Sequence, residues 1–144
     1  MPVDDREIAA LLRRVRTIAV VGASPNPSRP SFGVMTFLAA RGYDVIPVNP
    51  AHGGGEIAGL AAYSRLADVP VAIDMVDVFR QSGHVASVLD ETLALAPRPS
   101  VFWTQLGVVD AASAARAEAA GLAVVMDRCP KIELCGAEAR PRSN

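Results

Sequence analysis

Lysine is almost absent: Lys131 is the only one in 144 residues, and every other basic side chain is an arginine. Basic and acidic residues nearly cancel, 14 against 15, for a formal charge of -1. No strong global field therefore draws nucleic acid or an anionic membrane. Cysteine is scarce. Cys129 and Cys135 cannot build a disulfide scaffold. Without an adjacent histidine they make a poor zinc site, since structural zinc takes about four ligands. The two histidines, His52 and His84, fall in different segments, and neither lies beside an obvious nucleophile. No run approaches the ~18 apolar residues of a membrane span. The first residues carry Asp4, Asp5 and Glu7 where a signal peptide would be apolar. The expectation is a cytoplasmic, metal-free protein with no nucleic-acid or membrane partner.

What is present is a hydrophobic chain of one domain's length, 51% apolar. Such a chain buries roughly two thirds of its unfolded surface and needs no covalent staple. Residues 3–16 read as an amphipathic helix, with Ile8, Leu11, Leu12 and Val15 at helical spacing. Apolar, β-rich runs follow at 17–21, 43–48, 71–78, 100–103 and 122–126. Helical patterns at 32–41, 82–94 and 110–120 separate them, and the stretch at 57–63 is poorly patterned. Strands alternating with helices predict a single α/β domain over 1–144, in three layers. Its sheet should hold five parallel strands in the order 3-2-1-4-5. Pro47, late in the second run, points to an edge or a strand terminus. The tail beyond Leu134 is small and polar, and is expected to fray. In such a sheet ligands bind outside the carboxyl ends of the strands, where the order reverses.

Four loops fall at that end. After the first strand comes Gly22-Ala-Ser-Pro-Asn-Pro-Ser-Arg-Pro-Ser31. Gly22 permits a sharp turn and close ligand approach, so valine there should block ligand while leaving most of the sheet intact, if the turn tolerates it. Turn amides and the next helix N-terminus could hold a phosphate, aided by the Ser24, Ser28 and Ser31 hydroxyls and by Arg29. The plain alternative is a tight βα turn. The loop is neither a Gly-x-Gly-x-x-Gly nor a Walker loop. Asn49-Pro50 stands where a nicotinamide-binding domain places an acid for the ribose, which argues against NAD.

After the third strand, Phe79 could stack on a flat group and Arg80 could meet a phosphate. Phe79 packed in the core is the competing reading. Asp74 and Asp77 are spaced to opposite faces, so they form no catalytic dyad, and Asp77 could simply brace Arg80 or a loop. After the fourth strand, Gln105 offers a donor and an acceptor to an amide-bearing ligand, while Trp103 reads mainly as core. After the fifth strand, Asp127, Arg128, Lys131 and Glu133 could pair among themselves. Cys129 beside Arg128 could be a reactive thiolate, able to form a mixed disulfide with a thiol ligand, or an inert buried thiol.

The segments Val21-Gly-Ala-Ser24, Val45-Ile-Pro-Val-Asn-Pro50, Asp74-Met-Val-Asp-Val-Phe-Arg80, Trp103-Thr-Gln-Leu-Gly107 and Val125-Met-Asp-Arg-Cys-Pro-Lys-Ile-Glu133 together resemble the small stand-alone coenzyme A-binding proteins. That family is similar to the coenzyme A-binding domain of the succinyl-CoA synthetase alpha subunit. The resemblance covers about residues 12–134. It implies a Rossmann-like domain with coenzyme A as its cofactor, held across the carboxyl ends of the strands. It implies Gly22, Ala23 and Ser24 in the first phosphate loop, with Arg29 and Ser31 nearby. Val48, Asn49 and Pro50 would line the nucleotide end, Phe79 and Arg80 the middle, and Gln105 and Lys131 positions further along. Phe32 and Leu134 depart from the family, which often has tyrosine and histidine there.

No catalytic set accompanies these residues. There is no Ser-His-Asp order and no HExxH, and the ligase's phosphohistidine chemistry cannot be transferred without its second domain. The expectation is a non-catalytic module binding coenzyme A or an acyl-CoA, with a homodimer as the natural assembly. The alternatives are a small enzyme using coenzyme A or another nucleotide, and a nucleotide-sensing regulatory or interaction protein.

Overall fold

Thr17–Val21 is β-branched or small throughout, and it forms β1, with four of its five residues buried. A computed structural model describes residues 3–139 around it. Before β1, α1 (Asp5–Arg14) starts where the Asp4 carboxylate accepts the Glu7 N–H at 2.9 Å. Its stripe of Ile8, Leu11 and Leu12 is buried. After β1 come α2 (Pro30–Ala40), β2 (Asp44–Val48), and a short antiparallel hairpin of β3 (Glu56–Ile57) and β4 (Leu60–Ala61). Then follow β5 (Met75–Val78), α3 (Val85–Leu93), β6 (Val101–Thr104), α4 (Ala111–Ala119), β7 (Ala123–Val125) and α5 (Pro130–Ala139).

β2, β1, β5, β6 and β7 form one parallel sheet in that order. On one face Ile18, Val20, Met75 and Trp103 pack with Leu12 of α1 and with Val34, Met35 and Leu38 of α2. On the other, Val21, Val76, Val78 and Phe102 pack with Val85, Val88 and Leu89 of α3 and with Ala117 of α4. This is the expected three-layer α/β domain with five parallel strands, Rossmann-like in topology.

The strand order differs from 3-2-1-4-5. The third long strand pairs with β1, not with β2, so the order of the five runs is 2-1-3-4-5. Pro47 explains it: a residue with no N–H suits the edge that β2 occupies and not an interior position. The third strand is also shorter than 71–78. Asp74 lies just before it, where its carboxylate accepts the Arg16 and Thr17 N–H groups at 2.9 Å each and secures the entry to β1. The chain past Leu134 is helical as far as Ala139, with Pro130 opening α5. The remainder of the tail, 140–144, lies outside the described residues.

Candidate functional site

The observed order fixes where the sheet reverses. β2 lies on one side of β1 and β5 on the other, so the crevice opens between the carboxyl ends of β1 and β5. A cleft of about 590 Å³ lies there. The turn after β1 contributes Gly22, the loop after β2 contributes Asn49, Pro50 and Ala51, and the segment after β5 contributes Phe79, Arg80, Gln81 and His84. A second hollow of about 430 Å³ lies elsewhere, along the segments 66–73 and 94–97. Its lining carries no ionisable or hydrogen-bonding side chain, so it offers nothing to orient a polar ligand.

Gly22 has φ +90°, and a Cβ added there would stand 2.8 Å from the Phe79 carbonyl oxygen and 3.2 Å from Arg80 Cδ. The close approach belongs first to the protein itself: the β1 and β5 ends touch through this glycine, and Arg80 passes beside it. The expectation that valine here would merely exclude ligand is corrected by that contact.

Backbone amides of the first loop are already engaged. The Gly22 and Ala23 N–H groups donate to the Val48 carbonyl at 3.0 and 3.4 Å. Ser24 N donates to Ser31 Oγ at 3.0 Å, and Asn26 N to Ser24 Oγ at 3.1 Å. Ser28 N and Arg29 N donate to the Asn26 side chain and carbonyl, each at 3.0 Å. Residues 25, 27 and 30 are prolines and have no N–H to offer. Asn49 joins this loop to the next: its Nδ2 donates to the Ala23 carbonyl at 2.7 Å, and its Oδ1 accepts the Ala51 N–H at 2.9 Å. As it stands, the stretch from Gly22 to Arg29 offers an anion side chains rather than amides.

Among the cations, Arg65, Arg116 and Arg128 each face a carboxylate. Arg128 bridges Asp5 at 3.0 Å and Glu133 at 2.9 Å, which takes it out of the supply of phosphate ligands. Lys131 Nζ lies 5.5 Å from the centre of the Phe37 ring on α2, and Lys131 does not line the cleft. Arg29 is exposed and does not line the cleft. Arg80 is different: half-buried, in the cleft, and without an ion pair among the described residues.

The structure thus brings Gly22, Asn49, Pro50, Phe79 and Arg80 together in one cleft. Val48 is buried beside it, with its carbonyl fastening the first loop. Ala23 is in the core, while Ser24 and Ser31 tie the loop to the start of α2. Phe79 both lines the cleft and packs against the core. Gln105 is buried after β6, on the far side of β5 from the crevice, with Oε1 lacking a hydrogen-bond partner. Ala51, Gln81 and His84 were not anticipated. The signal for the last two was their position directly after Phe79-Arg80, in the loop leaving the strand that borders the reversal.

Two core groups complete the picture. Trp103 is fully buried, and its Nε1 donates to the Arg128 carbonyl at 2.7 Å. Asp77, its neighbour in register on β5, is wholly buried with neither carboxyl oxygen hydrogen-bonded. Burial pushes its carboxyl well above the ordinary carboxylate range. It braces neither Arg80 nor a loop. Cys129 is buried and Cys135 exposed. Thiol reagents and oxidised coenzyme A are therefore expected to label Cys135 first in native protein. Peptide mapping after limited labelling checks this, and a primary adduct on Cys129 would contradict it.

A parallel open sheet with a cation-lined crevice at its order reversal defines a nucleotide-binding α/β domain. Residues 16–135 match the CoA binding domain family, and the chain belongs to that family. It is 39% identical over 127 residues to the uncharacterized protein YneT of Bacillus subtilis, covering 88% of this chain and 90% of YneT. The Thermus thermophilus structure described as cell-free ID.343 superposes with a TM-score of 0.86 at 38% identity, covering 93% of this chain and 98% of that one. The alpha subunit of an ADP-forming acetate–CoA ligase of Pyrococcus furiosus is 31% identical over 80 residues, covering 53% of this chain and only 17% of the subunit. No helix among the described residues is long and apolar enough to cross a membrane.

Proposed function

We propose that this coenzyme A-binding domain holds coenzyme A or an acyl-CoA between the carboxyl ends of β1 and β5 without transforming it. The observation that carries this reading is Arg80: a half-buried guanidinium at the order reversal, in a cleft with no carboxylate in its lining. An uncompensated cation in such a place awaits an anion, and the ligand's phosphates supply one. Residues Gly22, Asn49 and Pro50 bound the cleft beside it, and Phe79 offers a ring. The volume is that of an ordinary small-molecule site.

The absence of chemistry is supported by the same inventory. The lining of the cleft holds one imidazole but no serine, cysteine or carboxylate with which it could act as a base. Cys129 is buried in the core cluster. We place the protein in the cytoplasm, where its two cysteines would stay free, as they are in the structure. A second copy of this chain is the simplest partner.

Calorimetry with coenzyme A, acetyl-CoA, NAD and ATP tests the reading. Coenzyme A is expected to bind more tightly than NAD, because the Asn49 amide is committed to Ala23 and Ala51 and no acid stands there for the ribose. Arg80→Ala should weaken coenzyme A binding tenfold or more, about 1.5–3 kcal/mol for a charge-assisted contact. Arg29→Ala should do much less. Tighter binding of NAD, or equal losses from the two arginine variants, would count against the cleft. Turnover of acetyl-CoA would overturn the non-catalytic part alone.

A further inference from the structure

We propose that His84 is a second, titratable cation of this cleft, placed with Arg80 so that phosphate groups bind more tightly in mildly acidic solution than at pH 8. The inference rests on the coenzyme A reading and adds a pH response to it.

Four observations lead there. First, the loop that would ordinarily offer amides to a phosphate has bonded them internally, from Gly22 through Arg29. Recognition of charge in the cleft therefore leans on groups outside that loop's amides. Second, the ionisable side chains lining the cleft are Arg80 and His84, with no carboxylate among the lining residues. Third, the His84 side chain makes no hydrogen bond to another described residue, although its backbone is held: its N–H donates to the Gln81 carbonyl at 2.8 Å, and its own carbonyl accepts from Ser87 Oγ at 2.9 Å. The backbone is fixed and the ring is free. Fourth, His84 stands immediately before α3, whose first turn has no acidic residue and no side-chain cap. The positive end of that helix dipole adds to the same field.

The charges on neighbouring elements leave this field largely intact. Asp110, at the start of α4, bonds Ser113 at 2.6 Å. Asp90 of α3 pairs with Arg116 of α4, and Asp68 pairs with Arg65. Glu91 belongs to the later turns of α3, away from its amino end. None of these acids lines the cleft. Protonation converts an imidazole from a neutral donor to a cation. A phosphate beside Arg80 would then meet two positive groups instead of one.

The choice of probe matters, because a phosphate monoester itself gains a proton near pH 6 and loses charge. Coenzyme A carries such a group on its ribose, whereas dephospho-coenzyme A keeps only the diphosphate, which holds its charge through this range. Dephospho-coenzyme A is therefore the clean probe, titrated by calorimetry at about pH 5.5, 7 and 8 into wild type, His84→Gln and His84→Arg. Wild type is expected to bind roughly three- to tenfold more tightly at the lowest pH than at the highest. His84→Gln should lose that gain. His84→Arg should bind tightly with little dependence on pH, which a merely structural histidine would not produce. Parallel pH profiles in wild type and His84→Gln would overturn the inference and leave the coenzyme A reading standing. Failure of both coenzyme A and its dephospho form to bind any of the three proteins would overturn both. Circular dichroism at each pH confirms that the compared species are folded.

Discussion

Gly22→Ala is expected to destabilise the protein by about 2–6 kcal/mol, and Gly22→Val by more, before any ligand is added. Two costs combine. At φ +90° an L side chain is strained, which costs roughly 1–3 kcal/mol. The added Cβ would also stand 2.8 Å from the Phe79 carbonyl oxygen, and that oxygen is on the backbone leaving β5. Relieving such an overlap by moving backbone costs roughly another 1–3 kcal/mol. Gly107 provides the control. It has φ +81° but nothing within 4 Å of the place an added methyl would occupy, so Gly107→Ala should incur only the first cost. Urea unfolding of the two variants separates the terms. Equal losses would mean that the β1–β5 approach at Gly22 is not tight.

Asp77 carries the second large effect. A carboxyl buried without partners favours its neutral form, so folding takes up a proton at pH values between the unfolded and the folded pKa. Its folded-state pKa lies above the unfolded value of about 3.9. The folded state therefore binds more protons between the two values, and stability falls as pH rises through that window. The slope approaches 1.4 kcal/mol per pH unit for one proton. Below about pH 4 the penalty from this group vanishes. Asp77→Asn should flatten the slope while keeping a buried polar group. Asp77→Val should flatten it and also gain about 1–3 kcal/mol at pH 7 by removing the unbonded oxygens from the core. Unfolding at pH 5 and pH 8 measures both effects. A wild-type slope retained in Asp77→Asn would show that another group is responsible.

The fold class was legible because its signals are local. Five apolar runs separated by helical patterns require no knowledge of what lies next to what. Strand order is a long-range property, and the expected order placed the second strand in the interior. Yet Pro47 already argued for an edge, and the edge is where β2 lies. Strand order also decides which loops border the crevice. In the order 3-2-1-4-5 the reversal falls between the first strand and the Trp103 strand, whose loop carries Gln105. With β5 in between, the crevice opens onto Phe79 and Arg80, and Gln105 lies on the far side. Lys131 falls outside the lining of the cleft for a different reason. Its direction depends on α5, a helix hidden in a segment that reads as a charged loop. His84 escaped because an isolated histidine at a helix start carries no spacing signal. Only the folded neighbourhood shows that it shares a cleft with an arginine.

The internally bonded loop after β1 has a consequence for how a ligand arrives. A loop with open amides must be organised by whatever it binds, and part of the binding free energy is spent on that ordering. Here six N–H groups between Gly22 and Arg29 already have acceptors, and the other two residues of that stretch, Pro25 and Pro27, are conformationally restricted. These amides should exchange slowly with deuterated solvent even though the segment is neither helix nor strand. Ligand should leave that protection pattern nearly unchanged. The entropy of arranging the loop is settled during folding, so association resembles docking onto a finished surface, with little of the binding free energy diverted to building it.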